Sequence, residues 1–177
     1  LVFGIGIGGT AAAGSLLHVI HNGLCKAGLF LAAGNIHRAY GSKSTDQIQG
    51  LLRRLPVSGW MMVILFFAIT GSPLFGPFVS EYQILSGAFA RGETACGIGF
   101  LVLLLIVFLG MGSTLLGCAM GPSPETEGSD RYHDSPAMVF PIALSLLLTF
   151  LLGVYTPTFL TEWVSSATAF LQSVPTD

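Results

Sequence analysis

The chain has 177 residues, 52% of them apolar and only 9% charged, with a mean hydropathy of +0.76. That is far more apolar side chain than a water-soluble core of this size requires, so lipid is the expected solvent. The net charge of -2 and the lack of an arginine-rich stripe exclude a surface that tracks a phosphate backbone, and no nucleic acid partner is expected.

The chain opens on Leu1-Val2-Phe3-Gly4 without an initiator methionine, and Leu1 to Gly8 reads as the tail of a helix that starts earlier. Gly4, Gly6, Gly8 and Gly9 are read there as close-packing positions between helices. A spanning helix takes about 20 apolar residues. The first such run covers about 10–35 and is interrupted only by His18, His21 and Lys26. A polar linker over 36–55 follows, carrying Arg38, Lys43, Asp46, Arg53 and Arg54.

The second run, about 56–90, holds Glu81 as its only charge. As one straight helix it would extend about 50 Å against a hydrocarbon core of about 30 Å. Gly71, Pro73, Gly76 and Pro77 remove helix propensity and a backbone donor at each proline, which predicts two half-helices broken near 71–77. An ordinary proline kink is the simpler alternative. A third run covers about 96–119, a linker over 120–135 follows, and a fourth run covers about 136–160.

These elements predict an all-α fold: one polytopic transmembrane helix bundle over 1–177, with one discontinuous helix. If the spans alternate in direction, both long linkers fall on one side with Arg38, Lys43, Arg53, Arg54 and Arg131, against Arg91 alone on the other. The positive-inside rule then puts loops 36–55 and 120–135 in the cytoplasm and the C-terminus outside.

The intramembrane polar groups carry the chemistry. A lysine as deep as Lys26 costs about 2.5–3.5 kcal/mol on insertion scales, so it is expected to face the interior and meet a partner. His18, Asn22 and Lys26 recur every four residues and predict one polar stripe along the first helix. His21 points away from that stripe, either as a hydrogen-bonded packing histidine or as a relay member. Glu81 stands just after the break, where burial and the helix dipole act on its charge in opposite senses; it reads as a proton-exchanging group or as a cap on the broken helix. Cys25, Cys96 and Cys118 form no CxxC pair and read as packing residues. No phosphate-binding loop, metal-ligand spacing or Ser-His-Asp order is visible, so no cofactor, no metal and no catalytic residue is assigned.

Three segments carry a resemblance: LLHVIHNGLCKAGLFLAAGNI, DQIQGLLRRLPVSGW and GSPLFGPFVSEYQIL. Together they resemble the antiporter-like membrane subunits of complex I, of membrane-bound hydrogenases and of multisubunit cation/proton antiporters. The hydrogenase-4 component F branch, with an end similar to FLLGVYTPTFL, is the nearest match. The resemblance implies about fourteen spanning helices in a complete subunit, of which this chain corresponds to the last four and the end of the one before. It also implies that Lys26 matches the family lysine after the histidine pair, His18 the first histidine, and Glu81 the Lys-or-Glu of the second broken helix. The second histidine of the pattern would fall at Asn22, whereas here it stands at His21.

The implied function is proton translocation within a redox-driven complex of the hydrogenase-4 or formate hydrogenlyase type, related to NADH:quinone oxidoreductase. The chain would be a subunit of an oxidoreductase with no redox centre of its own, in the inner membrane of a prokaryote. Its partners would be other membrane subunits, including the missing N-terminal helices, and the lipid bilayer. A secondary cation/proton antiporter subunit without a redox partner and a structural membrane scaffold are the alternatives.

Overall fold

The structure, a computed structural model, describes residues 1–122 and 132–173. The described residues are helical and contain no strand: α1 (Val2–Ile7), α2 (Thr10–Tyr40), α3 (Leu51–Arg54), α4 (Pro56–Ile69), α5 (Gly76–Ala90), α6 (Thr94–Met120), α7 (Pro136–Val154) and α8 (Thr158–Ser173). Arg131 and most of the linker over 120–135 lie outside the described residues. Three helices, α2, α6 and α7, are long and apolar enough to cross a membrane, and the short apolar α4 is continued by α5. The chain is an integral membrane bundle.

The bundle is organised around α2, which packs against α1, α4, α5, α7 and α8. Its buried residues include Ala11, Gly14, His21, Cys25, Gly28, Ala32, Asn35 and Ala39. With the part-buried His18 between Gly14 and His21, they recur at alternating steps of three and four, the seam of a left-handed crossing. Small residues on this seam let neighbouring backbones approach: a methyl group on Gly14 would stand 2.8 Å from Gln83 Cβ and 2.9 Å from the Ile84 nitrogen.

The second span is discontinuous. At 1.5 Å per residue, α4 and α5 are about 21 and 22 Å long, joined through residues 70–75. Both run antiparallel to α2, with Asn35 donating to Ser58 at the start of α4 and Gly87 of α5 against Ala11. Gly71 turns the chain at φ +77°, and Leu74 takes a positive φ of 80° that costs a non-glycine residue roughly 1–3 kcal/mol. The unwound stretch is enclosed. Gly153 of α7 lies flush against the Leu74 carbonyl and the Phe75 backbone, where any side chain would collide.

Three boundaries differ from those read in the sequence. The first span continues past residue 35 to Tyr40, because Asn35 is buried and donates to Ser58 Oγ at 3.3 Å while Gly41, at φ +66°, ends the helix. Within the linker over 36–55, α3 adds a turn, and Tyr40 donates to the Gln49 carbonyl at 2.8 Å. The last span stops at Val154 instead of 160. Pro157 has no amide proton to continue it, and a separate helix, α8, starts at Thr158. On α8, Phe159, Leu160, Trp163, Val164, Phe170 and Leu171 recur at helical spacing as an apolar face, of which Leu160 is buried.

At the linker end of the bundle, Asp134 holds α4 to α7. Its carboxylate accepts from the Val57 amide at 2.9 Å, the Ser58 amide at 3.3 Å and the Ser58 hydroxyl at 2.5 Å. These are amides of the first turn of α4, which has no cap from its own N-cap residue Leu55. The α4 N-terminus is therefore capped from across the bundle.

Candidate intramembrane proton-transfer site

On a helix each residue advances about 100°. From His18, Cys25 lies about 20° away and His21 about 60° away on the same side, whereas Asn22 and Lys26 lie about 40° and 80° away on the other. The supercoiled seam chooses the first side. His21 and Cys25 are fully buried, Asn22 is half-buried and Lys26 is exposed.

Among the described residues the polar groups of α2 therefore divide between two faces. His18, Asn22 and Lys26 do not share one buried face among the described residues, because the steps of four drift off the buried seam. Lys26 faces out of the described bundle and makes no hydrogen bond or ion pair with any described residue. His21, set apart in the sequence reading, joins His18 instead. His18 Nδ1 lies 2.9 Å and His21 Nδ1 3.3 Å from one oxygen, the buried Ser80 Oγ on the first turns of α5.

The position of Ser80 follows from the break. Pro77 and Gly76 start α5 and leave their carbonyls within reach of a hydroxyl one turn on, and Ser80 donates to the Pro77 carbonyl at 2.9 Å with Gly76 at 3.4 Å. Gly76 is required by the histidine: a methyl group there would come within 2.7 Å of the His21 ring. His21 Nε2 is buried without a hydrogen-bond partner among the described residues, as is Ser15 Oγ one turn before His18.

Glu81 follows Ser80 directly and folds back over the break. Its Oε2 occupies the place where a side chain on Gly71 would begin, so the glycine at φ +77° doubles as the seat of the carboxylate. Glu81 is half-buried and makes no hydrogen bond or ion pair with any described residue. No described pair joins Lys26 to Glu81.

Polar groups continue along the seam between α2 and α7. Cys25 Sγ lies 3.8 Å from the buried Thr149 Oγ1, Thr149 donates to the Ser145 carbonyl at 2.9 Å, and Ser145 donates to the Leu24 carbonyl at 2.6 Å. One apolar layer, Ala32, Leu65 and Ile142, separates these groups from Asn35, Ser58 and Asp134. The sequence reading passed over Ser80, Ser145 and Thr149. The signals were a serine beside the one acid of the second span, and two hydroxyls four apart in an apolar helix. Among the described residues no group of three His, Cys, Asp or Glu side chains is placed to hold a metal ion.

Residues 1–109 match the sequence family described as NADH:quinone oxidoreductase/Mrp antiporter, TM. The chain is 31% identical over 166 residues to a Na(+)/H(+) antiporter subunit of Bacillus subtilis, covering 93% of this chain and 32% of that protein. It is 33% identical over 175 residues to a hydrogenase-4 component F homolog of Methylacidiphilum infernorum, covering 96% and 35%. With an NADH-quinone oxidoreductase subunit of Mycobacterium tuberculosis it shares 29% identity over 145 residues, 80% of this chain and 25% of that one. The chain thus spans about a third, or less, of the length of these curated relatives. Its fold is similar to that in the structure of an Mrp complex from a Dietzia species, with a TM-score of 0.80 over 96% of this chain and 40% of that one; at 20% identity the likeness concerns the fold alone.

Proposed function

Since this chain belongs to the NADH:quinone oxidoreductase/Mrp antiporter membrane family, we propose that it forms part of a proton-translocating membrane subunit of a redox-driven complex of the hydrogenase-4 type. The observation that carries this reading is the polar centre buried at the broken helix: two histidines on one serine hydroxyl, next to a carboxylate that has no hydrogen-bond partner among the described residues. Buried polar and ionisable groups inside a membrane are expensive, and a break in a spanning helix is tolerated where it serves an ion pathway.

His18, His21 and Glu81 are the proposed proton-exchanging groups, with Asn22 beside them and Lys26 directed at further membrane helices of the assembly. The exposed lysine supports such partners: left in hydrocarbon it would cost about 2.5–3.5 kcal/mol. The similarity to a hydrogenase-4 component F homolog favours the redox-driven form, with electron transfer in partner subunits.

The similarity to a Na(+)/H(+) antiporter component favours a second reading, cation/proton exchange without a redox partner. One experiment separates the two. The complex purified from native membranes is reconstituted in vesicles with a pH dye, and is driven first by a reductant and then by a sodium gradient. Acidification that requires the reductant is expected. Acidification driven by sodium alone, with no redox centre in the complex, would replace the first reading by the second.

The linker over 36–55 is proposed to face the cytoplasm, with the C-terminus outside. A single cysteine introduced as Lys43→Cys, with Cys25, Cys96 and Cys118 replaced, is expected to resist a membrane-impermeant maleimide in intact cells and to label after lysis. Labelling in intact cells would invert the topology.

A further inference from the structure

Among the described residues, Ser80 is the one side chain that both histidines reach, with Nδ1 of His18 at 2.9 Å and Nδ1 of His21 at 3.3 Å from its oxygen. The ring positions come from α2 and the hydroxyl from α5, so the contact exists only because the broken helix lies against the seam at Gly76 and Gly14. The two rings share this oxygen as an intermediate. A hydroxyl has one proton to give and two lone pairs to receive with. Around Ser80 stand four groups that compete for them: two ring nitrogens, the Pro77 carbonyl at 2.9 Å and, more distantly, the Gly76 carbonyl at 3.4 Å.

We propose that the Ser80 hydroxyl is the proton bridge between His21 and His18, and that the relay in this chain runs histidine–serine–histidine. This rests on the proton-transfer reading above and assigns Ser80 a role in it. The proton enters at the buried Nε2 of His21, which has no hydrogen-bond partner among the described residues, and makes that ring an imidazolium. The Nδ1–H bond of His21 then breaks as a new O–H bond forms on Ser80, while the original O–H bond of Ser80 breaks and its proton joins Nδ1 of His18. His21 ends neutral with its proton on Nε2, His18 ends as the imidazolium, and the hydroxyl is regenerated. No other reactant is consumed.

The Pro77 carbonyl gives the bridge a resting position. With the hydroxyl turned to that carbonyl, both rings must donate their own Nδ1 protons into the serine lone pairs, and His18 has no free Nδ1 to receive. Opening takes two changes: His18 gives up its Nδ1 proton while its Nε2 takes one up, and the hydroxyl then turns from Pro77 to His18. The tautomer of His18 and the orientation of the Ser80 O–H together separate a blocked state from a conducting one.

The test compares Ser80→Ala and Ser80→Thr in the assembled complex, with Glu81→Gln alongside, reading proton transfer per electron pair or per cation and yield on a native gel. Ser80→Ala is expected to lower transfer about ten-fold or more at normal yield, and Ser80→Thr to stay within about three-fold of the unmodified protein. Normal transfer by Ser80→Ala while Glu81→Gln is inactive would remove Ser80 from the path and leave the functional reading intact. Normal transfer by both would overturn that reading and the relay with it. Should Ser80→Ala fail to assemble, nitrogen NMR of histidine-labelled, unmodified protein decides: one hydroxyl proton cannot serve two acceptors, so at least one of the two Nδ1 atoms must be protonated. Both Nδ1 atoms unprotonated in neutral rings would overturn the bridge.

Discussion

Glu81→Gln is expected to leave the complex assembled and to stop coupled proton transfer, with a loss on the order of a hundred-fold or more, the usual scale for removing a positioned acid–base group. Glutamine keeps the length and planar end of glutamate but has no proton to exchange. The carboxylate lies over Gly71 without accepting a hydrogen bond from any described residue, so the substitution breaks no described hydrogen bond and keeps the shape that packs over the break. Proton pumping against electron transfer, with complex yield on a native gel, reads both effects. Assembled Glu81→Gln protein that pumps at the normal ratio would exclude Glu81 from the path. Loss of assembly would instead make Glu81 a structural cap for the first turn of α5.

Gly14→Val is expected to have a large structural effect at the site itself. At this position α2 and α5 are almost in backbone contact: an added Cβ would meet Gln83 Cβ at 2.8 Å, the Ile84 nitrogen at 2.9 Å and the Ser80 carbonyl at 3.0 Å. Backbone atoms cannot rotate away as a flexible side chain can, so the helices must separate along the seam, and overpacking of this kind costs roughly 1–3 kcal/mol or more. The separation acts directly on the site, because Ser80 is one of the residues pushed off. Complex yield is expected to fall about ten-fold, and the surviving fraction should show impaired transfer. Normal yield and normal transfer together would mean that α2 and α5 are not packed as described.

Much of this architecture is legible along the chain. Apolar runs interrupted by rare charges announce spanning helices, since hydrocarbon leaves few other ways to satisfy a backbone. Gly71, Pro73, Gly76 and Pro77 mark the break because proline and glycine act through local backbone chemistry that no tertiary context is needed to reveal. The end of the last span is harder to place. Residues 155–160 remain apolar enough to continue a helix by composition, and only Pro157 and the amphipathic spacing of α8 mark the change.

The sequence by itself determined the solvent, the helical class, the location of the broken helix and the ionisable residues available for chemistry, but not the hydroxyl of Ser80 that joins two of them. Tertiary structure alone decided which of them meet. His18, His21, Asn22 and Lys26 are spread over about 140° of one helix surface, and local sequence cannot say which arc will be buried. That arc was chosen by the packing of α5 and α7 along a seam of small residues, which turned His21 inward to Ser80 and left Lys26 outside. The reason is physical: periodicity within a helix fixes relative angles between side chains, but the absolute direction of each is set by the neighbour that excludes the lipid.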